Sequence, residues 1–207
     1  MIKSLPSRRR KEARPQELLD AALELFVEKG FAASRAEEVA ARAGVSKGTL
    51  YLYYPSKQAL LQAVISHHLI DRFSAGVAQA AQFQGSAADL LRSLLVSVWQ
   101  EVYDSAAAKV FKLVITEVRN FPELASFYHR EVVEPVHRQL GDVIRRGIAA
   151  GEFRPVAVEH AVHSLMLPLV MLCLHRHSLG ACAAAGQIDG HRFIQAHVDL
   201  VLVGLSV

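Results

Sequence analysis

Ala43-Gly44-Val45-Ser46-Lys47-Gly48-Thr49-Leu50-Tyr51-Leu52-Tyr53-Tyr54-Pro55-Ser56-Lys57 is the stretch whose reading decides the fold. Gly44 is a stop for the helix before it, and Ser46 is a cap for the helix after it. That second helix can be only about two turns long, because Pro55 ends it. Ser56 then opens a third. Two short helices joined by a Gly-containing turn make a helix-turn-helix, whose second member fits the major groove of DNA.

Working outward on the N-terminal side, QELLDAALELFVEKG follows Pro15, a residue suited to a first helical turn. Leu18, Ala22, Leu25 and Phe26 fall at the i, i+4, i+7, i+8 spacing of one buried helical face. Gly30 is placed to end this helix. Ser34 is placed to cap a second, RAEEVAARA, with Val39, Ala40 and Ala43 facing inward. Residues 14–57 therefore form one three-helix module. Residues 1–13, with Arg8-Arg9-Arg10-Lys11 and little to bury, read as a disordered basic arm. Residues 1–57 hold 11 Lys+Arg against 7 Asp+Glu, while the other 150 hold 12 against 13. The positive surplus sits where phosphate contact is expected.

On the C-terminal side, residues 58–207 read as a second, helical body. KQALLQAVISHHLIDRF continues from Ser56 and is expected to fray between Gly76 and Gly85. Helices are expected over Ala87–Tyr103, Ala106–Val118, Glu123–Ala150, 156–177 and from Asp189 nearly to Val207. Pro135 is positioned to kink the third of these. No run alternates with period two, so the fold class is all-α. One small body cannot easily bury the apolar faces of both last helices; pairing with a second copy is the simplest outlet, burial within the monomer the alternative.

Several function classes drop out. The chain has no Gly-rich phosphate loop, HExxH or GxSxG, so no catalytic residue and no cofactor is expected. The ten histidines include His160 and His163 on one helix face and His129 and His137 on another, without companions at ligand spacing. No metal site is expected from them. Cys173 and Cys182 could serve as a redox pair, but nothing nearby would lower a thiol pKa. The longest apolar run, roughly Ala161 to Leu174, is shorter than the ~20 residues that span a bilayer. With no signal peptide visible, a cytoplasmic protein without a membrane partner is the expectation.

Within the recognition helix, Lys47 and Tyr51 lie four residues apart and share a face, with Gly48 and Thr49 beside them. Lys47 can donate to guanine or phosphate, Thr49 suits thymine or phosphate, and Tyr51 and Tyr53 offer phenolic donors. Gly48 lets the backbone approach DNA. Ser46 begins the groove-facing segment, and Lys57 can hold a further phosphate near the start of the next helix. Leu50 and Tyr54 are better placed as core. In the second body Trp99, Tyr103, Phe111, Phe127, Tyr128, His163, Met166 and Met171 are large or adaptable side chains. They suit either plain packing or the wall of an apolar pocket for a hydrophobic or aromatic small molecule.

FVEKGFAASRAEEVAARAGVSKGTLYLYYPSKQALLQAVI closely resembles the DNA-binding domain of TetR/AcrR-type transcriptional regulators, over roughly residues 14–65. The resemblance implies about nine helices, a homodimer through the last two, a ligand pocket in the C-terminal body and a double-stranded DNA operator. It implies that Lys47, Gly48, Thr49 and Tyr51 face DNA, with Tyr53 and Lys57 on phosphates and Ser34 and Arg35 as contacts at the start of helix 2. Leu52 and Glu37 depart from the family pattern. FKLVITEVRNFPELASFYHREV more weakly resembles the C-terminal body of the AefR-related subgroup. The expected function is a repressor released from a palindromic operator by a small molecule.

Overall fold

The computed structural model describes residues 8–178, 180 and 188–207. Residues 1–7 of the expected arm, and Cys182, lie outside them. The described residues form nine helices and no strand. These are α1 (Arg8–Lys29), α2 (Ala36–Arg42), α3 (Lys47–Tyr53), α4 (57–82), α5 (Ala87–Asp104), α6 (Ala107–Glu117), α7 (122–149), α8 (Val158–Arg176) and α9 (Gly190–Leu205). Two of them contain a single π-helical turn, at Ser66–Ile70 in α4 and at His129–Val133 in α7. The chain divides into two compact units, 1–67 and 68–207.

In the first unit, Leu18, Ala22, Leu25, Phe26, Val39, Leu50, Leu60 and Leu61 close a core, and the Phe26 and Phe31 rings meet edge to face at 5.2 Å. Leu50, on the inner side of α3, is fully buried. Arg42 grips the Glu28 carboxylate with both guanidinium nitrogens, at 2.8 and 2.7 Å, tying α2 to α1. Helix α1 starts at Arg8 rather than at Pro15, so the later part of the basic stretch is helical instead of forming an arm. Arg, Lys, Glu and Ala are all good helix formers, and they carry the helix back past the proline.

The second unit is built around α5, which packs on α9, α7, α6 and the latter part of α4, while α8 packs on α6, α7 and α9. Trp99, Leu91, Val102, Phe111, Ile144, Leu165 and Leu169 are among its buried residues. Helix α4 runs past Gly76, which is buried beside Val98 and Leu94, and ends at Gln82, within the stretch where it was expected to fray. Helix α7 starts on Pro122 at its first turn and reaches Pro135 just after its π turn. An isolated antiparallel bridge pairs Phe153 with Ser206, where Arg154 N–H donates to the Leu205 carbonyl at 2.8 Å.

Helix α8 is longer than the apolar run read from the sequence. At 19 residues and a mean hydropathy of 1.3 over its most apolar stretch, it is long and apolar enough to cross a membrane by length and composition. A third of that stretch is buried within the protein. Leu167 and Met171 of α8 are more than half exposed, as are Leu200 and Val203 of α9.

Candidate DNA-binding face and ligand cavity

Helix α2 ends in a Schellman motif. Val45 N–H donates to the Ala40 carbonyl at 2.9 Å and Gly44 N–H to that of Ala41 at 3.1 Å. Gly44 holds φ at +67°, a conformation that L side chains rarely adopt, so the turn depends on glycine there. Ser46 then caps α3, its Oγ accepting from Thr49 N–H at 3.1 Å and lying 2.9 Å from Thr49 Oγ1. Pro55 and the Ser56 cap, which accepts from Ala59 N–H at 3.0 Å, separate α3 from α4.

On the outer side of this motif, Tyr51 and Tyr53 are each 39% exposed and Leu52 is 85% exposed. Lys47, Gly48 and Arg35 are also exposed. The Lys47 ammonium lies 5.8 Å from the centre of the Tyr51 ring. A Cβ added at Gly48 would meet only Ser46 Oγ, at 3.8 Å, so nothing within the chain calls for glycine at that position. Tyr54 is half-buried, and its hydroxyl donates to the Pro15 carbonyl at 3.4 Å.

Two residues expected to contact DNA have partners within the chain. Ser34 is buried, and its hydroxyl donates to the Gly30 carbonyl at 2.7 Å, so it satisfies the end of α1 instead of facing outward. Helix α2 is preceded instead by Arg35, whose backbone N–H donates to Glu38 Oε2 at 3.0 Å. Lys57 turns inward as well. Its ammonium donates to the carbonyls of Phe31, Ala32 and Ser34 at 2.7, 3.2 and 2.9 Å and sits 4.4 Å from the centre of the Phe31 ring. An ammonium has three donors, enough to serve all three carbonyls. Lys57 therefore clamps the loop between α1 and α2.

Sequence reading missed one feature of this face. Glu37 of α2 pairs with Lys47 of α3, and both side chains are about half exposed. The hydrogen bond to Lys47 lowers the Glu37 carboxyl below its ordinary range, and Glu37 in turn raises the Lys47 ammonium. A cation read as a DNA contact is thus already paired to an anion on the neighbouring helix.

The second unit contains an apolar cavity of about 270 Å³ lined by residues of α4, α6, α7 and α8. Four of the expected pocket residues line it: Phe111, Tyr128, His163 and Met166. Phe73, Val136, His137 and Val170 line it too and were not singled out for a pocket. Trp99 lies behind this wall, stacked on Phe111 at 5.7 Å and lining a pocket of about 30 Å³ that shares Phe73, Val136 and Met166. Burial pushes the Tyr128 phenol up to about 12, so it stays protonated. A larger groove of about 420 Å³ is more open and is bordered by Arg138, Asp142 and Arg146.

Three expected pocket residues lie elsewhere. Tyr103 packs against Gly190 and meets the His191 ring at 6.0 Å, with the Arg176 guanidinium 4.3 Å over its own ring. It fixes the start of α9. Met171 is 60% exposed, and half-buried Phe127 is not among the cavity's lining residues. Among the described residues no group of three or more His, Cys, Asp or Glu could hold a metal ion. The Cys173 thiol is buried, and burial pushes it up to about 12, the opposite of what a reactive thiolate needs.

Two family models match the chain. Residues 18–64 match that of the bacterial regulatory proteins of the tetR family, and residues 82–188 match that of the tetracyclin repressor-like C-terminal domain. Among curated relatives, the HTH-type transcriptional repressor KstR2 of Mycolicibacterium smegmatis is 23% identical over 195 residues, 94% of this chain and 91% of the relative. Among solved structures, the regulator FadR of Bacillus subtilis in complex with stearoyl-CoA is 18% identical with a TM-score of 0.72, covering 92% of this chain and 98% of that one. A transcriptional regulator from Saccharomonospora viridis in complex with choline is 20% identical with a TM-score of 0.73, covering 95% and 99%. At these identities the structural likeness concerns the fold alone.

Proposed function

We propose, proceeding from the fact that this chain belongs to the TetR family of bacterial regulatory proteins, that it is a homodimeric repressor released from a palindromic operator by a small apolar ligand. The observation that carries this reading is the coexistence of an exposed Lys47–Tyr53 face on a capped recognition helix with an apolar cavity in the other unit. In this reading residues 14–57 bind DNA, and 58–207 bind the ligand and the second subunit. Lys47, Gly48, Thr49, Tyr51 and Tyr53 face the groove or its phosphates, with Ser46 beginning that segment and Arg35 beside it. That relatives are bound to stearoyl-CoA and choline supports a ligand site in a body of this fold. Like other DNA-binding regulators, the protein would work in the cytoplasm.

The recognition helix is tested by Tyr51→Ala. Its operator affinity is expected to fall by ~10-fold or more, the ~1–3 kcal/mol of a groove contact, while the dimer persists. Fluorescence anisotropy with operator DNA measures this. Unchanged affinity would move the reading head off α3.

Glu37→Gln is expected to act in the opposite direction. Without its carboxylate Lys47 is released towards phosphate, so binding to random-sequence DNA tightens and the salt dependence steepens by about one counterion. A titration of binding against salt concentration reads both, and a flat response would show that the ion pair does not restrain Lys47.

The dimer is expected to use α8 and α9, where Leu167, Met171, Leu200 and Val203 leave an uncovered apolar face. Leu200→Glu with Val203→Glu places charge on exposed positions of that face, so the subunit should still fold but sediment as a monomer. A dimer in analytical ultracentrifugation would place the interface elsewhere.

A further inference from the structure

Two imidazoles from different helices meet at the wall of the apolar cavity. His137 of α7 and His163 of α8 stand edge to face with ring centroids 4.8 Å apart. His163 Nδ1 lies 2.8 Å from the Glu159 carbonyl oxygen, so Nδ1 carries a hydrogen. That leaves Nε2 as the atom whose role changes with protonation. No Asp, Glu, Lys or Arg is among the residues lining the cavity. The polar groups there are the two imidazoles and the phenol of Tyr128, set in a wall of Phe, Val, Leu, Ile and Met side chains.

We propose that the effector is a compact carboxylic acid whose apolar body fills this cavity and whose carboxylate is held by His137 and His163, one of which takes up a proton as the acid binds. The proposal rests on the reading of the cavity as the effector site and specifies the chemistry of that site.

Two observations favour an acid over other ligands, and a third bounds its size. Burial and the neighbouring His163 and His129 hold the His137 imidazole below its ordinary 6.5, opposed only by Glu159. The pair thus lacks a counter-charge inside the cavity, and a carboxylate supplies one through charge-assisted N–H···O bonds. A cationic ligand would meet two imidazoles and no lining carboxylate. The volume, about 270 Å³, lies just under the ~300–1,000 Å³ of pockets for drug-sized molecules. A single ring or a short branched chain fits, and a long acyl chain does not.

The single tryptophan makes the test direct, because Trp99 stacks on Phe111 in the cavity wall. The full-length protein is titrated with benzoate and phenylacetate, and with benzamide and phenylacetamide of nearly the same shape, following Trp99 emission and heat. At about pH 6 the acids are expected to bind ~10-fold or more tightly than the amides. Acid affinity should fall by up to ~10-fold per pH unit towards about pH 8, with uptake of about one proton seen across buffers of different ionisation heat. His163→Gln and His137→Gln should each bring the acid-to-amide ratio close to unity. The wild-type comparison stands even if a variant fails to fold. Amides binding as tightly as acids, acid binding without proton uptake, or tighter binding of the benzoyl thioester of coenzyme A would each overturn the carboxylate assignment and leave the cavity reading in place. If neither acids nor amides register by emission or heat, both fall.

Discussion

Trp99→Ala is expected to destabilise the second unit by about 3–5 kcal/mol, the usual range for removing a large buried aromatic from a core. The indole is almost fully buried, stacks on Phe111 at 5.7 Å and lies 6.0 Å from the Phe73 ring. The fold cannot collapse easily into the space left behind, because α5 is held by α9, α7, α6 and the latter part of α4 together. That space would also join the apolar cavity through the shared wall of Phe73, Val136 and Met166. Urea unfolding followed by circular dichroism measures the loss. A change below about 1 kcal/mol would mean that the stack around Trp99 is loosely packed.

Lys57→Met should destabilise the first unit by about 2–3 kcal/mol. The substitution keeps most of the apolar stem but removes the ammonium shared by three loop carbonyls, and hydrogen bonds to charged groups are worth about 1.5–3 kcal/mol. The same variant separates the clamp from the phosphate contact expected from sequence. If Lys57 holds only the loop, operator affinity measured well below the melting transition keeps its salt slope. A slope reduced by about one would show that the ammonium also reaches a phosphate.

The helix-turn-helix was legible because its signals are local. Ser46, Gly44, Pro55 and Ser56 act on backbone groups within a few residues of themselves, and each sits where its chemistry requires. The inward partners of Lys57 and Ser34 are carbonyls presented by a loop and a helix end, whose position no spacing reveals. The role of Glu37 is not legible in the sequence because its partner sits on another helix across the turn.

In the second unit, periodicity located the helices but not the purpose of each apolar face. Core, cavity wall and the uncovered face on α8 and α9 are written in the same residues. Met166 lines the cavity, while Met171, five positions on, faces solvent. In α7 the steps of four back from Leu140 through Val136 and Val132 reach cavity-lining Tyr128 and buried Leu124. Phe127, five positions before Val132, falls off that stripe by more than a quarter turn.

The Glu37–Lys47 pair has a consequence for the number of molecules a cell must keep. A chromosome offers on the order of a million or more irrelevant positions, each competing for the protein through its phosphates alone. Under the proposed DNA contact, a lysine tied to its neighbour contributes little to those encounters and is released only where the whole recognition helix seats. Fewer molecules then idle on irrelevant sequence, and each moves on sooner from a wrong position. In that reading a small pool of copies suffices to keep the operator occupied.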